Sequence, residues 1–233
     1  ITTFNYQTTP GLVEELKKGI EELGGLENLS GVVIDLRNNP GGLLNEGVAV
    51  ADRWLERGQT VVKHSGRAQP ERRYEARHGG GGRNYPVVVL VNRYSASAAE
   101  IVAGALQDHD RAIVVGTTSY GKGSAQNVYN LVSGGALRLT TARWYTPAGR
   151  SISKPRPRDP NDDPADNAGV SLPSDTLRPR FRTDAGRTVL GGGGITPDVE
   201  VGDSLTPLPV QALARAMGKH LADYRDALAK EAN

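Results

Sequence analysis

The order of apolar residues in this 233-residue chain predicts an α/β domain: a mixed, largely parallel sheet with packed helices. Two continuous apolar runs, Gly31-Val32-Val33-Ile34-Asp35-Leu36 and Pro86-Val87-Val88-Val89-Leu90-Val91, have the length and β-branched content of buried strands. Stretches with apolar residues at helical spacing follow them, so strand and helix alternate through this part of the chain. The chain is also long enough to bury a full core as one domain with an excursion.

The opening Ile1-Thr2-Thr3-Phe4 reads as a strand entered partway, so the chain is expected to be a fragment or a mature piece. Residues 10–23 place Leu12, Val13, Leu16, Ile20 and Leu23 at helical spacing, with Thr9 as cap, Pro10 at the first position and Gly24-Gly25 as the stop. The strand 31–36 leads into a turn, Asn38-Asn39-Pro40-Gly41-Gly42, and a second helix over 43–55. Residues 60–63 read as a strand, and 64–84, rich in arginine and glycine, as an exposed loop. After the strand 86–91 come a helix over 97–107, a strand over 112–115, an extended stretch over 124–131 and a strand over 137–145. Residues 154–184 carry many prolines and charges and are expected to form a surface excursion. A final strand over 195–201 precedes a closing helix over 207–232, with an apolar stripe at Val210, Leu213, Met217 and Leu221.

A formal net charge of +2, spread along the chain, gives no reason to expect a nucleic-acid partner. The absence of cysteine excludes a disulfide framework, a thiol nucleophile and thiolate metal sites. No apolar run approaches the ~20 residues of a membrane-spanning helix. No metal or organic cofactor is implied.

Ser97 lies in Ser95-Ala96-Ser97-Ala98-Ala99-Glu100-Ile101, just after a strand and at the start of a helical pattern. N–H groups at a helix start are unpaired, so the N–H of Ala98 is a candidate oxyanion donor, and the small neighbours leave room for a substrate backbone. The same place suits a simple helix cap, and position alone does not separate Ser97 from Ser95. Lys122 sits between glycines in Tyr120-Gly121-Lys122-Gly123-Ser124-Ala125-Gln126. Serine and lysine together suggest a hydrolase whose base is lysine. Among the histidines, His109 is about 18 Å from Ser97 along a helix and out of reach. His64 and His78 fall in polar, glycine-rich sequence, and His220 in the closing helix.

A lysine base acts only when neutral. Moving a lysine from about 10.4 to ~7–8 requires about 4 kcal/mol, which burial away from anions supplies. Two other readings stay open: a solvated loop lysine, and a phosphate-binding loop over residues 116–122, which lacks the Ser or Thr that should follow the lysine because Gly123 stands there. Gln126 is placed either to orient the amine without raising its pKa or to lie exposed on a strand. Gly41 and Gly42 allow close backbone approach to a ligand, or make a plain tight turn.

Taken together, these segments resemble the carboxyl-terminal processing, or tail-specific, proteases. The resemblance rests on Val33-Ile34-Asp35-Leu36-Arg37-Asn38-Asn39-Pro40-Gly41-Gly42 and on the two segments around Ser97 and Lys122. It continues through Thr141-Ala142-Arg143-Trp144-Tyr145-Thr146-Pro147-Ala148-Gly149-Arg150-Ser151-Ile152 and Gly194-Ile195-Thr196-Pro197-Asp198-Val199. It implies a core like that of the Clp protease and crotonase folds, with residues 1–233 as one serine protease catalytic core opening with a strand and helix over 1–30. It assigns the nucleophile to Ser97, the base to Lys122 and its amide partner to Gln126. The oxyanion donors would be Ala98 and a glycine of the Gly-Gly turn, Gly42 rather than Gly41.

The implied activity is cleavage of unfolded or C-terminally exposed proteins near their ends, in a periplasmic or other extracytoplasmic compartment. An upstream PDZ domain and an adaptor protein are the implied partners. Three departures stand out: Ala99 replaces the family's third serine, 154–184 is longer than the usual connection, and the chain carries no PDZ domain. The rival expectations are a non-proteolytic ligand-binding module and a crotonase-like acyl-CoA enzyme, neither of which needs the serine–lysine pair.

Overall fold

The computed structural model describes residues 1–67, 69–80, 85–132, 134–154 and 177–202. Residues 1–201 form one unit and 202–233 another, of which Gly202 alone is described. The expected closing helix and residues 155–176 of the expected excursion lie outside the described residues.

The first helix, α1 (Thr8–Glu22), begins two residues earlier than its proline suggested, with Gln7 in the cap position. Thr9 therefore sits inside the helix rather than capping it. Its N–H and hydroxyl both donate to Glu46 Oε2, at 3.0 and 2.6 Å. That pins α1 to the helix α2 (Leu44–Ala51). Before α1, Phe4 forms a single parallel bridge to Gly42 rather than a full strand, and its ring is buried.

The expected α/β fold is present, and its strands sort into separate sheets. β1 (Val32–Asp35), β4 (Val87–Val91), β5 (Ile113–Gly116) and β10 (Val199–Glu200) form an all-parallel sheet in the order β1-β4-β5-β10. Its register sets Ile34 beside Val89 and Val89 beside Val114, a buried apolar row. β2 (Thr60–Gly66), β3 (Gln69–Glu75), β6 (Ser124–Asn130) and β7 (Ala136–Tyr145) form an antiparallel sheet in the order β3-β2-β7-β6. A two-stranded ribbon pairs β8 (Arg180–Arg182) with β9 (Thr188–Leu190).

Two expectations are corrected here. Residues 64–84 are not simply a loop: β2 runs on to Gly66 and β3 spans Gln69–Glu75. Arginines hid this strand, because an edge strand tolerates charge that a central one does not. Its apolar anchor is Tyr74, which meets His64 and Trp144 across the sheet. The end of the expected surface excursion is also built into the unit, since Arg178 and Thr183 are buried.

The helix α3 (Ala98–Asp108) is buried along its whole length and packs against α2, β2 and β5. Space is tightest at Gly104. A Cβ on Gly104 would lie 3.0 Å from Ile195 and from Thr146. At its far end a buried Arg150–Asp108 ion pair, 2.7 Å long, and the Arg150–Gln107 hydrogen bond tie α3 to the chain after β7. The start of α3 is therefore held in a fixed place at the ends of β1 and β4.

Candidate active site

β4 ends at Val91, and the side chain of Asn92 organises the turn that follows. Asn92 Oδ1 accepts the N–H groups of Asn38 and Tyr94, and Asn92 Nδ2 donates to Asn38 Oδ1. Ser95 is fully buried; its hydroxyl donates to the Leu36 carbonyl at 2.8 Å and accepts the Asn92 N–H. The structure thus separates the two serines. Ser95 is committed to joining the β1 and β4 ends, while Ser97, two residues on, faces a cavity.

Ser97 has φ 55° and ψ −114°, a left-handed backbone that a residue with a Cβ rarely adopts. Such strain persists only where the surroundings impose it, and strained strand-to-helix turns of this kind aim nucleophiles in other hydrolases.

What imposes it is Glu100. This carboxyl is completely buried and accepts four hydrogen bonds. Oε2 takes the N–H of Ser97 at 2.9 Å and of Lys122 at 2.8 Å. Oε1 takes the Ser119 hydroxyl at 2.5 Å and the Gly121 N–H at 2.6 Å. One side chain thereby joins the serine turn to the lysine loop. Burial pushes the carboxyl above its ordinary value of 4.5, and these four donors pull against that rise. The role of Glu100 was not read from the sequence, although Ser97-Ala98-Ala99-Glu100 carries the serine-to-glutamate spacing of a helix-capping box, a signal that pointed to it.

Ser97, Ala98, Gly42, Lys122 and Gln126 all line one cavity of about 360 Å³. Gly41 packs directly against the serine turn: a Cβ there would lie 2.7 Å from Ser97 Cβ and 3.0 Å from the Ala98 nitrogen. Its own N–H is already given to Asn39 Oδ1 at 2.8 Å. Gly42 lines the cavity, and neither its N–H nor that of Ala98 has an acceptor among the described residues. The two glycines thus differ in how their N–H groups are engaged.

The glycines beside Lys122 are needed for close packing, as a Cβ on Gly121 would meet Lys154 and one on Gly123 would meet Ser153 and Ile152. The lysine side chain itself is exposed, which departs from the burial that the base role requires. No hydrogen bond joins Ser97 Oγ to Lys122 Nζ among the described residues. Gln126 is exposed too, and its Nε2 donates to Thr140 Oγ1 at 3.4 Å rather than meeting the lysine. After Lys122 the chain enters β6, not a helix, so the phosphate-loop reading has no structural counterpart.

The walls of the cavity include His64, Tyr74 and Trp144, three residues that sequence reasoning did not place at the site. His64 is the one histidine among the described residues that lines it. Its ring packs edge-on to Trp144, with centroids 5.2 Å apart, and its buried Nδ1 has no partner. Among the described residues no carboxylate orients it as a triad would require. His109 is taken up by the Thr60 carbonyl and Asp184, and His78 by Asp52. Among the described residues, no group of histidines and carboxylates is arranged to hold a metal ion. No helix there is long and apolar enough to cross a membrane.

The chain is similar to known proteins in both sequence and fold. A carboxy-terminal-processing protease of Bartonella bacilliformis is 45% identical over 149 residues, which cover 63% of this chain and 34% of the relative. A probable CtpA-like serine protease of Staphylococcus haemolyticus is 38% identical over 133 residues, covering 54% of this chain and 26% of the relative. Among solved structures, the photosystem II D1 C-terminal processing protease superposes with a TM-score of 0.63 at 30% identity, over 92% of this chain and 44% of that one. The chain spans about a third of the length of the curated relatives it matches. The model of Peptidase family S41 matches residues 1–159, more than half of the sequence, and the chain belongs to that family.

Proposed function

We propose that this chain is the catalytic part of a serine endopeptidase that cleaves unfolded or C-terminally exposed proteins near their ends. One observation carries the reading: Ser97, held in a strained turn, shares a cavity with Lys122 and with the unbonded N–H groups of Gly42 and Ala98, and Glu100 braces the serine and lysine segments together. Neutral Lys122 takes the proton from the Ser97 hydroxyl as Oγ attacks the peptide carbonyl. The N–H groups of Gly42 and Ala98 hold the oxyanion, with Gly41 as a buttress. Lys122 then gives its proton to the leaving amine, and water hydrolyses the acyl-enzyme. Gln126 orients the amine once it turns from Thr140. An extracytoplasmic compartment, an upstream PDZ domain that captures tails and an adaptor belong to the same proposal, and they rest on the family resemblance alone.

The reaction uses neither metal nor organic cofactor, so activity should be indifferent to chelators. The direct test is labelling with a fluorophosphonate. Wild-type protein should be modified at Ser97 and the Ser97→Ala protein should not. A wild-type protein that stays unlabelled across pH 6 to 10 while binding peptide or acyl-CoA would instead favour the binding-module or crotonase-like readings.

A further inference from the structure

Tyr74 is shared by two cavities. On one side lies the cavity of Ser97; on the other lies a cavity of about 790 Å³, more than twice as large. Four arginines line the second: Arg57, Arg72, Arg73 and Arg77. The acids that face them are Asp52 and Glu75. Asp52 is 4% exposed and turned to internal work: Oδ1 accepts the N–H groups of Arg77 and His78, and Oδ2 pairs with His78 Nδ1. Arg73 is held by Glu71 at 2.8 Å. The Arg72 guanidinium lies over the Tyr74 ring, 4.8 Å from its centroid, at the boundary between the cavities. Arg57 and Arg77 have no ion pair among the described residues, and Glu75 is left as the one uncommitted acid of the lining.

This is a positively charged recess that shares Tyr74 with the cavity of Ser97. Guanidinium groups bind carboxylates through paired N–H donors. The strand β3, which carries Arg72, Arg73 and Tyr74, is an edge of its sheet among the described residues, a position that suits an added extended strand. An extended chain with acidic side chains satisfies both features. We infer that the arginine-lined cavity is a substrate subsite that takes acidic side chains flanking the bond cut at Ser97. The inference rests on the peptidase reading given above and adds a preference for acidic polypeptide to it.

The test reads binding without catalysis. Two fluorescein-labelled peptides share one central sequence; one is flanked by glutamates, the other by glutamines. Each is titrated by anisotropy into the Ser97→Ala protein at about 50 mM and about 500 mM salt, where screening differs strongly. The glutamate peptide should bind about tenfold tighter at low salt, an advantage that shrinks at high salt. The combined Arg57→Gln, Arg72→Gln and Arg77→Gln substitutions should remove the advantage and leave the glutamine peptide unchanged. Glu75→Gln should enlarge it, and this single change decides the matter if the triple variant does not fold. Equal binding of the two peptides, an advantage kept by the triple variant, or no gain from Glu75→Gln would overturn the inference. So would tighter binding of an oligonucleotide of matched charge, which would make the recess a nucleic-acid site. Failure of the peptidase reading would appear separately, as a wild-type protein that neither cuts the glutamine peptide nor takes a fluorophosphonate at Ser97.

Discussion

Ser97 and Glu100 carry opposite kinds of strain, one conformational and one electrostatic. A left-handed backbone at a residue with a Cβ costs about 1–3 kcal/mol, and glycine removes most of that cost. Ser97→Gly and Ser97→Ala should both abolish peptide cleavage, but the glycine protein should melt higher than the alanine protein; equal melting temperatures would mean that the turn is not strained. Ser95→Ala should keep the chemistry and lose about 1–2 kcal/mol of stability in denaturant titration, because it strands the Leu36 carbonyl and the Asn92 N–H. Glu100→Gln turns an amide N–H₂ toward donors that now meet a carboxylate. Shifting the serine or lysine segment by about 1 Å should lower kcat about a hundredfold. Stability should respond to pH with a defined sign. Burial holds the folded carboxyl above 4.5, so the folded state keeps a proton that the unfolded chain has released. Its stabilising contribution is fully present below 4.5 and is lost as pH rises through the raised value. The melting margin of wild type over Glu100→Gln should therefore shrink as pH climbs from about 4.5; a margin that grows would show that the carboxyl titrates below its ordinary value. Ser97 and Lys122 were readable in the sequence as candidates because serine and lysine are residue types with few substitutes in such roles. Glu100 was harder to read because its function lies in four long-range donors, and only the capping-box spacing betrays it.

Among the elements, what could be read from sequence was the part governed by local periodicity. The parallel strands are continuous apolar runs, and α1 and α3 follow apolar repeats, so they lie within a few residues of where the pattern puts them. β3 was missed because its residues alternate between charge and more charge; what holds it is pairing with β2 and the packing of Tyr74 on Trp144, neither of which is a local property. Reading 64–84 as a loop also hid His64 and Tyr74 from the active-site walls. The Asn38–Gly42 turn shows the opposite case: its glycines were recognised as a close-approach site, but which glycine does what depended on hydrogen bonds. Gly41→Ala tests that division. A Cβ there would lie 2.7 Å from both the Ala96 carbonyl and Ser97 Cβ, at a φ of +97°. Activity should fall by at least a hundredfold through displacement of the serine turn, with a loss of stability of about 1–3 kcal/mol. Normal kcat in a folded Gly41→Ala protein would show that the turn does not position Ser97.

At the scale of the whole molecule, the serine side of the site is in place while the lysine side is open. Ser97 is fixed by Glu100, Ser95 and Asn92, whereas the Lys122 side chain is exposed and Gln126 points to Thr140. A lysine takes a proton only when it is neutral, so the amine has to be covered before it can serve Ser97. A flexible side chain flanked by glycines can move between covered and open states, and any partner that binds the covered state better shifts the population toward it. A tail-binding domain upstream is the proposed partner. The chain as it stands should therefore turn over an unfolded substrate slowly. A chain extended by such a domain should run faster at neutrality. Turnover of the two chains on one unfolded substrate from pH 6 to 10 measures this. Identical rates and identical profiles would show that the core covers Lys122 unaided whenever substrate binds, and that assistance from another domain plays no part in switching on the base.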